Sequence, residues 1–291
     1  MNDGMAPHLS PILIRAAVER ALEEDLGRAG DITSDATIPA SAIANCVINA
    51  REAGIVSGLH VVTAAFAATD PKTSVVVKKS DGDRISAGDT IAEISGSARA
   101  ILSAERTALN FLMRMSGIAT YTSVFSGMIA HTNAKVCCTR KTIPGLRAFD
   151  KYAVKCGGGS NHRYGLDDAI LIKDNHIAVA GGVGLAIERA KAFAGHLVKI
   201  EVEVDTLEQF DEALTQKPDV VLLDNMTNEM LCDAVARNQK DNNGAVKLEA
   251  SGNVNIETIQ KIAETGVDYI STSKITMAAP TLDVGLDIKI S

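Results

Sequence analysis

The chain has 291 residues, a formal net charge of −7, 46% hydrophobic and 22% charged residues, so it is expected to form one large or two smaller globular domains. No apolar run approaches the roughly 20 residues of a membrane-spanning helix. The acidic balance and 3% aromatic content argue against a nucleic-acid surface, which needs a basic face with stacking rings. The start, MNDGMAPHLS, lacks a secretory signal, and the five cysteines form no C-x-x-C pair. We therefore predict a cytoplasmic protein without membrane or nucleic-acid partners.

The N-terminal part of the chain mixes helix and strand signals. Apolar residues at helical spacing predict an amphipathic helix from Pro11 to Glu24. From Ala42 to Ser97, short strand and turn signals predict a small sheet, with a helix from Val62 to Ala68. The Gly-Asp turns are typical of lipoyl and biotinyl carriers, but no lysine stands at a hairpin tip. We interpret this part as scaffold.

The strongest helix signal covers residues 103–116. Ser103 is a suitable N-cap, and Gly117 is expected to end the helix. A second helix is predicted over residues 122–129. Arg106 belongs to a polar face of the first helix, which is either solvated surface or part of a binding site.

From residue 134 onward, strand and helix signals alternate, which predicts parallel β/α units. The predicted strands are short, apolar and β-branched, and they cover residues 135–139, 169–172, 198–204, 220–223, 247–250 and 269–271. Each strand is followed by polar or charged residues: Arg140 and Lys141, Lys173, Glu203 or Asp205, Asp224 with Asn225, Ser251 with Gly252, and Thr272 with Ser273. Functional groups at the carboxyl ends of successive parallel strands are how an α/β barrel builds its site.

Cations are concentrated in one stretch of this acidic chain, from Cys138 to His176. Such a local excess of positive charge indicates an anion site. Its main members are Arg140, Lys141, His162, Arg163 and Lys173. Guanidinium groups suit carboxylates and phosphates, and lysines add point charges. Together with Arg106 they exceed what one carboxylate needs, so we predict a pair of polyanionic substrates, such as a dicarboxylate and a phosphorylated sugar.

Two acidic residues, Glu203 and Asp224, close consecutive predicted strands. They could hold ribose hydroxyls directly or through Mg²⁺ and could stabilise positive charge on a sugar carbon, or they could form ion pairs with the lysines. The turn of Ser251, Gly252 and Asn253 offers backbone N–H groups to a phosphate.

Other residues of the stretch have alternative interpretations. Lys173 is either a charge at a strand end or a Schiff-base lysine. His162 and His176 are either general acids or hydrogen-bonded loop members. Cys138 and Cys156 have no identified base partner, which favours a packing role.

Six segments, in order and spacing, carry a resemblance over nearly the whole chain. They are EEDLGRAGDITS, AERTALNFLMRMSGIAT, TRKTIPGLRAFDKYAVKCGGGSNHRYGLDDAILIKDNHI, EVEVD, LLDNM and LEASGN. On these segments the chain resembles the quinolinate phosphoribosyltransferase family. The resemblance implies an α+β sandwich domain over residues 1–117 and an open α/β barrel of parallel strands over residues 118–291. It also implies a tail, at about residues 278–291, that packs on the sandwich, and a homodimer in which the sandwich covers the partner's barrel.

The resemblance further implies an activity. Ribose 5-phosphate would pass from phosphoribosyl pyrophosphate to the ring nitrogen of quinolinate, with Mg²⁺, followed by loss of the 2-carboxylate. The products would be nicotinate mononucleotide, pyrophosphate and CO₂, which feed NAD synthesis. A related enzyme using another aromatic acid such as nicotinate, or a Schiff-base barrel lyase acting through Lys173, remains as an alternative.

The same resemblance implies residue roles. Arg106 would reach the quinolinate site of the neighbouring subunit. The pocket would be lined by Thr139, Arg140, Lys141, His162, Arg163 and Lys173. Glu203 and Asp224 would face the ribose and the metal, and both are expected to be catalytic, with Lys141 and Lys173. The 5-phosphate would be received by Ser251, Gly252, Asn253, Thr272 and Ser273.

Three positions depart from the common family pattern. Cys138 replaces a frequent Asp, Ser273 a frequent Gly, and Met277 a frequent His or Gln. Glycine at position 273 would let the backbone approach a phosphate more closely.

Overall fold

The computed structural model of the protein describes residues 8–289. The first seven residues, on which the predicted lack of a secretory signal rests, lie outside the described residues, as do the last two of the predicted tail. No helix between residues 8 and 289 is both long and apolar enough to cross a membrane. The cytoplasmic location stays a prediction.

The chain forms two compact units. The first contains the chain up to Ser123, residues 148–158 and the chain from Ala279; the second contains residues 124–147 and 159–278. In chain order the elements are α1 (Pro11–Leu26), α2 (Ile32–Thr37), β1 (Ile43–Ala50), β2 (Gly54–Ile55), α3 (Leu59–Thr69), β3 (Ser74–Val77), β4 (Arg84–Ile85), β5 (Thr90–Ser97), α4 (Ala98–Met128), β6 (Lys135–Cys137), α5 (Arg147–Cys156), β7 (Ile170–Ile172), α6 (Asp174–Ala180), α7 (Val183–Phe193), β8 (Ile200–Val204), α8 (Leu207–Gln216), β9 (Val220–Asp224), α9 (Asn228–Asn242), β10 (Lys247–Ser251), α10 (Ile259–Ala263), β11 (Tyr269–Ser271), α11 (Lys274–Met277) and β12 (Val284–Lys289). The domain boundary at residue 117 stays a prediction; that residue lies inside α4.

The first unit is built on an antiparallel sheet with strand order β12-β1-β5-β3. The C-terminal strand β12 pairs with β1, from Asn45 opposite Lys289 to Ala50 opposite Val284. Helices α1 and α3 pack together beside it. The two helices predicted for this part of the chain, from Pro11 to Glu24 and from Val62 to Ala68, are confirmed as α1 and α3.

Helix α4 corrects the sequence analysis, which expected two helices separated at Gly117. One helix of 31 residues covers both, and Ser103 lies inside it, donating its hydroxyl to Asp31 Oδ2 at 3.2 Å instead of capping. The reason lies in packing: a Cβ on Gly117 would lie 2.0 Å from the carbonyl oxygen of Pro280. Glycine is needed here because the C-terminal segment crosses the helix at backbone contact, with the Leu282 N–H bonded to the Met113 carbonyl.

Replacing Gly117 by alanine is expected to lower the free energy of unfolding by about 3 kcal/mol, because the methyl group must push the C-terminal segment away. Gly127→Ala is a matched control in the same helix, since nothing lies within 4 Å of its Cβ position. That variant should be neutral or more stable by up to about 1 kcal/mol. Urea unfolding measures both, and equal stabilities would contradict the packing explanation.

The polar face of α4 serves two different purposes. Arg114 donates from Nε and Nη2 to the two carboxylate oxygens of Asp150, at 3.0 and 2.8 Å, and the Asp150 side chain is fully buried. Removing one partner of such a pair is far more destabilising than the pair is stabilising. Arg106, on the same face, is exposed and forms no hydrogen bond or ion pair with the described residues. Arg114 is therefore structural, whereas Arg106 is available to bind a partner or ligand.

The second unit is built on a six-stranded, fully parallel sheet with strand order β6-β11-β10-β9-β8-β7. All six strands predicted from the sequence are present. Their apolar side chains form the core, among them Val136, Ile172, Val202, Val221, Leu248 and Ile270. Thr206 and Thr227 cap α8 and α9 by accepting from the backbone N–H three residues later.

Candidate functional site

A cavity of about 300 Å³ lies at the carboxyl ends of the parallel strands. It is lined by Thr139, Arg140, Lys141, His162, Arg163, Leu171, Lys173, Glu203, Leu222, Asp224, Glu249, Ser251 and Ser271. Strands β6 and β7 are the outer strands of the sheet and would stand roughly 24 Å apart if it were flat, given strand spacings of about 4.8 Å. Because residues following both strands line one cavity, the sheet must curve into an open barrel. The predicted fold class is confirmed.

Most of the predicted site residues line this cavity. The exceptions in the second unit are Gly252, Asn253, Thr272 and Ser273, which follow β10 and β11 directly at the same ends of the strands. Arg106 lies on α4 in the first unit. The roles of all these residues stay predictions.

Two guanidinium groups give the cavity its positive character. The Nε atoms of Arg140 and Arg163 are buried, and neither has a hydrogen-bond partner among residues 8–289. Arg163 uses Nη1 to bond the Ala169 carbonyl at 3.1 Å. Burial, and then the charge of Arg140, lower the pKa of Arg163. Two cations held close together with unused donors form an anion-binding arrangement.

Lys173 and Glu203 form an ion pair between β7 and β8 at the edge of the cavity. The alternative in which Glu203 pairs with a lysine is thus realised in the protein. An ion-paired ammonium is also unlike the neutral amine that a Schiff-base lyase requires. Lys173 further donates its backbone N–H to His176 Nδ1 at 2.9 Å, so His176 caps the start of α6.

The turn after β10 is shaped by a glycine. Gly252 has φ +93°, and a Cβ there would lie 2.1 Å from Asn225 Oδ1 in the turn after β9. Only glycine allows the two turns to approach this closely. Ser273, in contrast, has φ −78°, so serine stands there without backbone strain. Its departure from the common family residue adds only the bulk of a side chain.

Two buried acids were missed by the sequence analysis. Glu201 and Glu249 point into the barrel from β8 and β10, with 8% and 4% of their surface exposed. Glu201 Oε2 lies 2.8 Å from His162 Nε2, and Glu249 Oε1 lies 3.8 Å from the same atom. Burial, and then the charge of Glu201, raise the pKa of Glu249. The sequence does contain a signal for these two acids. Each lies two residues before a predicted site residue, Glu201 before Glu203 and Glu249 before Ser251, and side chains two residues apart in a strand lie on the same face of the sheet.

The cysteines have the packing environment that the sequence analysis favoured. Burial raises the pKa of Cys156 to about 11, which keeps the thiol protonated at neutral pH. Cys138 is buried, and its Sγ donates to Asn161 Oδ1 at 3.2 Å. The Cys156 thiol is therefore not an activated nucleophile.

Residues 118–287 match the sequence profile described as "Quinolinate phosphoribosyl transferase, C-terminal domain", and residues 31–116 match that of the N-terminal domain. The chain is 41% identical over 268 residues to the "Probable nicotinate-nucleotide pyrophosphorylase (carboxylating)" of Bacillus subtilis (strain 168), covering 92% of this chain and 91% of that protein. It is 42% identical over 278 residues to the "Nicotinate-nucleotide pyrophosphorylase (carboxylating)" of Mycobacterium leprae (strain TN), covering 94% and 96%. Its structure is similar to that of nicotinate-nucleotide pyrophosphorylase from Francisella tularensis, with a TM-score of 0.92, 37% identity, and coverage of 99% and 100%.

Proposed function

The chain belongs to the quinolinate phosphoribosyltransferase family, and on this basis we propose that it makes nicotinate mononucleotide from quinolinate and phosphoribosyl pyrophosphate. The reaction releases pyrophosphate and CO₂ and serves the de novo synthesis of NAD. The observation that carries this proposal is the cavity itself, which is lined both by two guanidinium groups with unused donors and by an acidic pair.

The positive half of the cavity suits the two carboxylates of quinolinate. Arg140 and Arg163 each offer charge-assisted hydrogen bonds to one carboxylate, and Lys141 adds a further charge. Two anchored carboxylates fix the orientation of the pyridine ring, so its nitrogen can be aligned with the anomeric carbon of the second substrate. Once the nitrogen is bonded to the ribose, its positive charge stabilises the carbanion left on the adjacent ring carbon by the departing CO₂, and that carbon then takes up a proton from water.

The negative half suits the ribose and a metal ion. Glu203 and Asp224 lie at the carboxyl ends of adjacent strands, and both line the cavity. We propose that they bind Mg²⁺ together with the pyrophosphate of the substrate. Two carboxylates are too few for a protein-only cage, but Mg²⁺ usually takes one or two carboxylates plus substrate phosphates and waters, so the donor set fits. The bound ion would neutralise charge on the departing pyrophosphate.

We further propose that the protein is a homodimer and that Arg106 completes the site of the partner subunit. The support is an exposed arginine on α4 without a partner among the described residues. An arginine lent across the interface would add a third guanidinium to a substrate that carries two carboxylates.

The choice of substrate tests the function. Purified protein with phosphoribosyl pyrophosphate and Mg²⁺ should form nicotinate mononucleotide from quinolinate, with one CO₂ per product. With nicotinate, kcat/KM should be at least about 100-fold lower, because one guanidinium then stays buried without its anion. Chromatography of the nucleotide measures both reactions, and capture of CO₂ labelled in the 2-carboxylate of quinolinate measures the decarboxylation. Equal rates from the two acids would contradict the dicarboxylate assignment.

A further inference from the structure

The barrel contains a second cavity, of about 250 Å³, below the proposed substrate site. It reaches the opposite ends of the strands, where Lys199, Val220 and Tyr269 line it. His162 and Glu249 line both cavities, as does Arg163, whereas Glu201 lines only the lower one. These residues therefore form the partition that is the floor of the upper site.

The imidazole of His162 has a defined hydrogen-bond direction in this partition. Its Nδ1 accepts the backbone N–H of Arg163 at 2.9 Å. A neutral imidazole has one proton, and a nitrogen that accepts cannot also carry it, so the proton lies on Nε2. From there it is donated to Glu201 Oε2 at 2.8 Å.

The same group of side chains has the spacing of a metal site, since one ligand atom from each of His162, Glu201 and Glu249 lies within 4.8 Å of the others. A metal on Nε2 would move the ring proton to Nδ1. Metal-binding histidines donate that proton to an oxygen, but here Nδ1 faces the N–H of Arg163, which is itself a donor. The hydrogen bonds therefore favour a proton between His162 and Glu201 over a metal ion.

The two acids of the partition are buried close together. One oxygen of each carboxylate, Oε1, is buried without a hydrogen-bond partner in the described part of the chain. Two close buried carboxylates do not both ionise readily, and burial together with the charge of Glu201 raises the pKa of Glu249. The charge of Glu201 also acts on Arg163, whose pKa it raises, and this offsets part of the repulsion from Arg140.

We propose that Glu201 is a positioning residue for the dicarboxylate pocket, acting through His162 to fix Arg163 in the orientation that receives a substrate carboxylate. Glu201 holds the imidazole ring by Nε2, the ring holds the Arg163 backbone by Nδ1, and the Ala169 carbonyl holds one edge of the guanidinium. The Nε atom is buried and has no hydrogen-bond partner among residues 8–289. The inference rests on the proposed function.

Two substitutions of Glu201 separate positioning from general damage. In Glu201→Leu the Nε2 proton loses its acceptor, and the KM for quinolinate should rise about tenfold or more, with the KM for phosphoribosyl pyrophosphate within about twofold of wild type. Glu201→Gln keeps an acceptor oxygen and should recover most of the loss. Glu264→Gln is the matched control, because His131 Nε2 and Glu264 Oε1 form an exposed pair at 3.2 Å in the same unit. It should leave both KM values unchanged.

The ¹⁵N chemical shifts of the histidine side chains provide a second measurement. A general loss of stability would not change the protonation and hydrogen bonding of the His162 ring that these shifts report. Wild type and Glu201→Gln should show His162 protonated on Nε2 with the shift of a hydrogen-bonded N–H, and Glu201→Leu should show the loss of that hydrogen bond at Nε2. The inference would be overturned if His162 in wild type were protonated on Nδ1. It would also be overturned if the KM values for both substrates rose together in Glu201→Leu. If the leucine variant does not fold, the wild-type spectrum still provides the first of these tests. Wild-type protein that fails to convert quinolinate would instead contradict the proposed function. A converting wild type with unchanged KM in both Glu201 variants would contradict this inference alone.

Discussion

Replacing Lys173 by alanine is expected to lower kcat for nicotinate mononucleotide formation by about 100- to 1,000-fold, the usual cost of removing a group that stabilises developing charge. Lys173 stands at the carboxyl end of β7, lines the cavity and pairs with Glu203 on the next strand. The departing pyrophosphate gains negative charge as the bond to the ribose breaks, and Lys173 can neutralise it there. An interaction that strengthens as this charge develops acts mainly on the transition state, so the KM for quinolinate should change less than kcat.

A matched control distinguishes this role from the loss of any ion-paired lysine in the sheet. Lys247 pairs with Asp268 at 2.7 Å, is half exposed and begins β10, at the end of the sheet opposite the cavity. Lys247→Ala should keep kcat within about twofold of wild type, since surface pairs contribute little. Steady-state kinetics of both variants give the comparison. If Lys173→Ala kept more than a third of wild-type kcat, Lys173 would have no catalytic role. A separate experiment tests the Schiff-base lyase: trapping of wild-type Lys173 on a carbonyl substrate by borohydride would support that alternative.

The barrel was predictable because its signals are local. Strands that are covered on both faces are short and apolar, and each of the six predicted strands is followed by a polar or charged residue, so the carboxyl ends of β6 to β11 could be located from the sequence. The carboxyl ends of parallel strands then had to meet at one edge. Cavity-lining residues such as Arg140 and Asp224 were found by this rule alone, before any resemblance was used.

The errors came from interactions between residues far apart in the chain. Gly117 has the local signature of a helix end, but its function is to let the segment at Pro280 touch α4, which no local pattern shows. Glu201 and Glu249 were missed because the site was predicted only from residues at the ends of strands, whereas these two carboxylates lie inside β8 and β10. Their meaning depends on His162, which lies about forty residues before Glu201 and reaches both only through the curvature of the barrel. A charged residue inside an apolar strand is therefore as informative as one at its end.

Mixing two inactive variants is expected to restore activity if Arg106 acts across a dimer interface. Arg106→Ala and Lys173→Ala should each have about 1% or less of wild-type activity as homodimers, because each spoils both sites. After subunit exchange about half of the dimers are mixed, and each mixed dimer has one site with both residues intact. Recovery should therefore approach about one quarter of wild-type activity, measured as nicotinate mononucleotide formed from quinolinate.

The control mixes Lys173→Ala with Glu203→Gln. Both residues lie in the second unit, so neither site of a mixed dimer is repaired, and activity should stay at the level of the parents. Subunit exchange is verified with two differently tagged chains. Exchange without recovery in the first mixture would show that Arg106 serves its own chain or no site at all. Recovery in the first mixture alone would mean that each site is built from two chains. The cations that bind one dicarboxylate would then come from Arg140 and Arg163 of one subunit and from Arg106 of the other.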